Sequence, residues 1–113
     1  MSNGNGEVMT VKIMRNEKGS PNGKLADAEV IFGAESGPLN GLRLLGFAVW
    51  ERRTGERNVT FPARTYSVNG ERRSFALLRP IADVSAQENI RQLILDAYKE
   101  YEEASETTNG RMR

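Results

Sequence analysis

The chain has 113 residues, a formal net charge of +1, 38% hydrophobic and 27% charged residues, a composition typical of one small globular domain. It contains no cysteine and no histidine, which excludes disulfides, thiolate nucleophiles, histidine bases and metal sites built on Cys or His. No apolar run could serve as a signal peptide or span a bilayer, so we expect a cytoplasmic protein.

Alternating apolar and polar residues predict three strands in the first half of the chain. Residues 1–7 are polar and rich in glycine and asparagine, and are expected to form a disordered head. The first two strands are predicted at about 9–13 and 24–32. The third, at 42–52, is apolar on both faces, so we expect it to be central in its sheet or covered by a second chain.

Two further strands are predicted in the arginine-rich part of the chain. The fourth, at 57–62, ends at a proline, which cannot donate to a strand ladder. Arg64 is expected in the loop that follows, and an Asn69-Gly70 pair is a turn signal. The fifth strand is predicted at 72–79.

Beyond Pro80 the spacing of apolar residues changes from 2 to about 3.6, which indicates a helix. Ser85 and Glu88 match a capping box at its start. One apolar stripe follows at helical spacing: Ile90, Leu93, Ile94, Ala97, Tyr98 and Tyr101. The sequence therefore predicts a single α+β domain at 8–104, a five-stranded, mostly antiparallel sheet followed by a C-terminal amphipathic helix, with a disordered tail at 105–113.

Charge is distributed unevenly along the chain. Residues 43–79 hold eight arginines, three glutamates and no lysine, a net charge of +5, whereas residues 83–106 have a net charge of −5. Arginine binds phosphate through two N–H donors and stacks on bases. The basic segment therefore suggests phosphate contacts, although arginines also serve to solvate one face of a small sheet. Arg64 favours phosphate, because no carboxylate is near it in sequence.

Signs of an enzyme are weak. The sequence has no phosphate-binding loop, no dinucleotide-binding fingerprint and no nucleophile elbow. Carboxylate pairs such as Asp27 and Glu29 are typical of strand surfaces. Trp50 and Tyr66 lie near the arginines and could stack on single strands, but burial in the core is favoured for Trp50. We therefore expect no catalytic residue, no cofactor and no metal.

Six segments follow one another in an order that is characteristic of a known family: VKIMR (11–15), GKLADAEVIF (23–32), LRLLGFAVWE (42–51), FPAR (61–64), RPI (79–81) and IRQLILDAY (90–98). This order resembles the stage V sporulation protein G (SpoVG) family of bacterial septation regulators, over about residues 9–101. FPAR, and RPI followed by the helix, are the most specific of these matches.

The resemblance implies a small α+β protein that forms homodimers and binds DNA or RNA as a regulator without enzyme activity. In the family, the basic residue after the proline lies in a nucleic-acid-binding loop, and Arg64 holds that position here. Thr65 stands where the family usually has a second basic residue. Arg52 and Arg53 belong to what looks like an insertion before the fourth strand.

We therefore expect a dimeric, non-enzymatic nucleic-acid-binding regulator, with no membrane and no small-molecule substrate. The residues expected to contact phosphates are Arg64, Arg72 and Arg73, supported by Arg52, Arg53 and Thr65. The alternative is a protein–protein interaction module that recruits its partner through a sheet edge or through the acidic helix.

Overall fold

A computed structural model of the protein describes residues 8–111; the predicted disordered head, residues 1–7, lies outside the described part. The described residues form six strands, one long helix and a short 3-10 helix. These elements are β1 (Met9–Arg15), β2 (Lys24–Phe32), the 3-10 helix (Gly37–Leu39), β3 (Arg43–Glu51), β4 (Arg57–Thr60), β5 (Ala63–Val68), β6 (Glu71–Ala76) and α1 (Ser85–Arg111).

The predicted α+β class is confirmed, but the single five-stranded sheet is wrong. Strands β1 to β4 pair antiparallel with their sequence neighbours in a four-stranded sheet, while β5 and β6 form a separate two-stranded sheet. The chain leaves the larger sheet after Thr60, just before Pro62, which has no N–H to continue the β3–β4 ladder. The last two strands therefore pair with each other.

The core lies between α1 and one face of the four-stranded sheet. The alternation predicted for β2 is confirmed, because Ala26, Ala28 and Val30 are all buried there. The buried core cluster also includes Phe47, Val49, Val59, Ile94 and Tyr98. Helix α1 approaches β1 and β4 most closely, and its Ile94 and Tyr98 join the small alanines of β2 in the core cluster.

A β-bulge in the β2–β3 pairing lies next to the point at which the chain leaves this sheet. The pairing of β2 with β3 slips between Ala28 and Val30, which face Phe47 and Leu44. Gly46 lies in this slip with a φ of 107°, a backbone conformation that glycine adopts without a steric penalty. Pro62 is buried and packs directly over Gly46.

The helix begins differently from the predicted capping box. The Ser85 N–H donates to Asp83 Oδ1 at 3.0 Å, so Asp83 caps the helix and the predicted Ser85–Glu88 box is wrong. Glu88 instead pairs with Arg91, one turn further along. The helix continues to Arg111, past residue 104, where the sequence places the end of the domain; residues 112 and 113 lie outside the described part.

Candidate nucleic-acid interface

The hairpin formed by β5 and β6, residues 63–76, stands apart from the core and is called the arm below. Its two strands pair only with each other in the described part of the chain, and every residue from 63 to 75 is exposed. Asn69 and Gly70 both have positive φ, 52° and 82°, which is the geometry of a type I′ hairpin turn. At the base of the arm, the Leu77 N–H donates to the Pro62 carbonyl at 2.8 Å.

The register of the arm sorts its side chains onto two faces, because successive residues of a strand point to opposite sides. Tyr66 pairs with Arg73, and Arg64 pairs with Phe75. The face that carries both rings is called the aromatic face, and its residues are Arg64, Tyr66, Val68, Glu71, Arg73 and Phe75. The opposite face consists of Ala63, Thr65, Ser67, Arg72, Ser74 and Ala76.

Two exposed aromatic rings lie at the centre of the aromatic face. Tyr66 is 43% exposed and Phe75 is 39% exposed. Their ring centroids are 5.8 Å apart with an interplanar angle of 66°, an edge-to-face contact. From beyond the end of β6, the Arg79 guanidinium lies 5.9 Å from the Phe75 centroid.

Of the three arginines expected to contact phosphates, the structure brings two together. Arg64 and Arg73 share the aromatic face, whereas Arg72 and Thr65 lie on the opposite face. The expectation that Arg64 lies in a loop is wrong, since it lies within β5. Arg64 and Arg72 make no ion pair with any residue that the structure describes. Arg73 pairs with Glu71 at 3.1 Å, but both side chains are more than half exposed, so the pair is weak.

The other two expected contacts, Arg52 and Arg53, lie in a different place. They belong to the turn between β3 and β4, where Arg52 pairs with Glu56 at 3.6 Å. Strand β4 and the two residues after it separate this turn from the arm, a path of roughly 20 Å at about 3.3 Å per extended residue. Sequence proximity therefore does not place Arg52 and Arg53 beside the arm.

Two more arginines of the basic segment hold the fold together. Arg43 Nη1 donates to Glu29 Oε1 at 3.0 Å, joining β3 to β2. Arg57 donates to both carboxylate oxygens of Glu102 at 2.7 and 2.8 Å, joining β4 to α1. These hydrogen bonds lower the pKa of the Glu102 carboxyl and raise the pKa of Arg57. The basic segment is therefore divided between structural ion pairs and the exposed arm.

The edge-to-face contact between Tyr66 and Phe75 is the feature that sequence reasoning missed. The signal was present in the Asn69-Gly70 turn, because counting outwards from a two-residue turn gives the register of the whole arm. Trp50, the other aromatic considered for stacking, lies on the four-stranded sheet. It is half-buried, and its Nε1–H donates to Thr60 Oγ1 at 2.8 Å.

An apolar cavity of about 310 Å³ opens between the four-stranded sheet and the start of α1. Leu39, Phe61, Leu78 and Ile90 are among its lining residues, and Arg79 lies at its wall. Within residues 8–111 we find no group of three or more Asp, Glu, His or Cys side chains able to hold a metal ion. None of the helices described is both long and apolar enough to cross a membrane.

Comparison with known proteins assigns neither a family nor a fold relative. The chain matches no protein-family model, no curated protein and no solved structure. The function is therefore inferred from the geometry of the arm.

Proposed function

We propose that the protein is a cytoplasmic, homodimeric, non-enzymatic regulator of the septation type that binds DNA or RNA through the arm. The observation that carries this proposal is the aromatic face, where Arg64 and Arg73 alternate with two exposed rings. Neutralising phosphates with guanidinium groups releases counterions, which gives affinity without any reading of sequence.

The positions of the two arginines suit contact with one nucleic-acid strand. Arg64 and Arg73 are diagonal neighbours across the β5–β6 ladder, so their Cβ atoms lie about 7–8 Å apart. Both side chains are long and exposed, and they can reach neighbouring phosphates from one face. Arg72 points the other way and contributes mainly to the local positive potential.

A salt series with matched charge variants tests this proposal. Arg64→Ala with Arg73→Ala removes two positive charges from the arm, and Arg52→Ala with Arg53→Ala removes the same number from the β3–β4 turn. Binding to labelled duplex DNA is measured over a range of salt concentrations. Each lost phosphate contact lowers the log–log slope by about 0.9, so we expect the arm variant to lose up to about 2 from the slope and the turn variant to match the wild type.

Two results would contradict the proposal. An equal decrease of the log–log slope in the two variants would mean that net charge alone governs binding, with no role for the arm. Wild-type protein that binds neither DNA nor RNA at low salt would remove nucleic-acid binding altogether.

Exposed apolar residues, two of which line the cavity, support the homodimer. Leu77, Ile81 and Val84 are largely exposed in the connection between the arm and α1. They belong to a set of exposed apolar residues, called the apolar rim, of which Leu39 and Leu78 line the cavity: Leu39, Leu42, Leu45, Leu77, Leu78, Ile81 and Val84. Apolar surface of this kind marks an interaction site on a small protein, and a second copy of the chain is the proposed occupant.

The unpaired edges of the arm favour the second candidate, a protein–protein interaction module. Each arm strand has one neighbour only in the described part of the chain, so backbone N–H and C=O groups of the other edge are open to a partner strand. The acidic helix is a further surface for such a partner. A defined protein recovered with the tagged chain after nuclease treatment, without any retention on a DNA column, would support this candidate instead.

A further inference from the structure

We propose that the arm binds single-stranded nucleic acid in preference to duplex, by stacking bases on Tyr66 and Phe75. This inference rests on the nucleic-acid binding proposed above and specifies the form of the ligand. It depends on the rings of the aromatic face, whereas phosphate binding depends on the arginines, so the two can be separated by experiment.

The exposure of the two rings is the first observation. Contiguous exposed apolar surface marks interaction sites, whereas scattered exposed residues do not, and Tyr66 and Phe75 are exposed side by side. Tyr66 and Phe75 contact each other edge to face, an arrangement that leaves part of each ring surface open. No other described strand covers them, because the arm is a sheet of only two strands. A base stacked on either ring would cover this apolar surface.

The positions of the arginines are the second observation. Each ring has a guanidinium directly across the ladder, Arg73 opposite Tyr66 and Arg64 opposite Phe75. Along each arm strand, the arginine and the ring are two residues apart, roughly 7 Å. A single strand that lays its bases on the rings would therefore bring its phosphates to the arginines. Stacking platforms that alternate with cations are the general means of binding single strands without sequence preference.

A duplex cannot use the rings in this way. Its bases are already stacked and paired, so only phosphates and groove edges reach the protein, and extruding a base has an unfavourable free energy. Stacking contributes about 5- to 160-fold in affinity per base. The single strand gains this factor, while the duplex is bound by the arginines alone.

The decisive comparison uses two strands that differ only in their bases. Full-length protein is titrated with labelled oligothymidylate and with an abasic strand of the same length, which keeps every phosphate. We expect the strand with bases to bind at least about tenfold more tightly. A duplex of the same length is expected to bind more weakly than the strand with bases, because its bases cannot stack on the rings. These comparisons use the wild type, so none of them depends on the folding of a variant.

Variants then assign the effect to the rings. Tyr66→Leu with Phe75→Leu keeps the arm apolar and removes both aromatic faces, and is expected to bind the two single strands equally, at the affinity of the wild type for the abasic strand. Tyr66→Phe is the matched control, because it keeps the ring. It is expected to retain most of the difference in affinity between the strand with bases and the abasic strand. Arg64→Ala with Arg73→Ala is expected to weaken binding of both strands.

The outcomes separate this inference from the proposed function. Equal, salt-sensitive binding of the strand with bases and the abasic strand would overturn stacking while leaving phosphate binding in place. Tighter binding of duplex than of oligothymidylate would overturn it as well. If no nucleic acid binds at low salt, the proposed function fails and this inference fails with it.

Discussion

Gly46 packs directly against Pro62 at the point where the chain leaves the sheet, and its replacement should be costly. An added Cβ would lie 2.8 Å from Pro62 Cβ and 3.3 Å from Pro62 Cα, on a backbone with a φ of 107°. Gly46→Ala therefore combines backbone strain with a steric clash, and we expect a loss of about 3 kcal/mol in the free energy of unfolding. Urea denaturation followed by circular dichroism measures it.

Gly55→Ala is the matched control for this substitution. Its φ is 91°, and an added Cβ would meet nothing within 4 Å, so only the backbone strain applies, at about 1–2 kcal/mol. Equal losses of free energy of unfolding in the two variants would show that the contact with Pro62 relaxes and does not constrain the chain.

The ion pair between Arg57 and Glu102 makes a pH-dependent contribution to stability. The guanidinium donates to both oxygens of the carboxylate and lies 5.1 Å from the Tyr98 ring centroid. Hydrogen bonding lowers the pKa of Glu102 in the folded protein. Its contribution is therefore fully present above the unfolded pKa of about 4.3 and is lost as the pH falls through the lower, folded value.

Replacing Glu102 tests that contribution. Both side chains of the pair are about one-third exposed, so we expect Glu102→Gln to reduce the free energy of unfolding by only about 1 kcal/mol at neutral pH. The difference in free energy of unfolding between wild type and variant should disappear as the pH falls below about 4. Glu103→Gln, at an exposed neighbouring position, should have no such effect. If the difference in free energy of unfolding persists at low pH, the loss is due to packing and not to charge.

The arm is the element expected to be least stable on its own. A two-stranded hairpin without a core is marginally stable in water, and this one is held by its turn, the Tyr66–Phe75 contact and the bond between Leu77 and Pro62. We expect backbone amides of β5 and β6 to exchange with deuterium much faster than those of β2 and β3, and to slow when oligothymidylate is added.

Strands β2 and β3 provide the internal control for that experiment, since each has a paired neighbour on both sides. Their exchange should not change with added oligothymidylate. Equally slow exchange in the arm and in β2 of the free protein would contradict the prediction, and would mean that another chain covers the arm in solution.

The elements were predictable from sequence where one face is buried, and their association was not. Alternation identified the buried face of β2, which includes Ala26 and Ala28, because burial imposes a period of two. Alternation cannot say which sheet a strand joins, so the departure at Pro62 was missed. At the helix start both Asp83 and Ser85 are suitable caps, and only the geometry of the Ser85 N–H selects Asp83.

In the candidate site, too, some features were predictable from sequence and others were not. Charge composition identified Arg64 and Arg73, since clustered arginines are visible in any sequence. It could not separate them from Arg72, because the face of a side chain depends on register, which follows here from the Asn69-Gly70 turn. Charge composition also could not show that Arg52 lies in the β3–β4 turn, with an entire strand between it and the arm.

The molecule as a whole separates its charges in a way that would orient a bound polyanion. The arm has a net charge of +2, from three arginines and one glutamate, whereas residues 83–106, which include most of α1, have a net charge of −5. A nucleic-acid strand is attracted to the first surface and repelled by the second. If the protein binds nucleic acid as proposed, the acidic helix disfavours contacts of the polyanion with α1 and favours contacts with the arm.

The apolar rim predicts the state of the whole molecule in solution. If a second copy covers it, the wild type should sediment as a dimer at micromolar concentration, and its melting temperature should rise with protein concentration. Ile81 is fully exposed in the protomer, so Ile81→Asp should leave the protomer fold intact and shift sedimentation to the monomer. Val68→Asp makes a similar change on the arm and should leave the dimer in place. Wild-type protein that sediments as a monomer at every concentration would contradict the homodimer, and a dimer lost in Val68→Asp but kept in Ile81→Asp would place the contact on the arm.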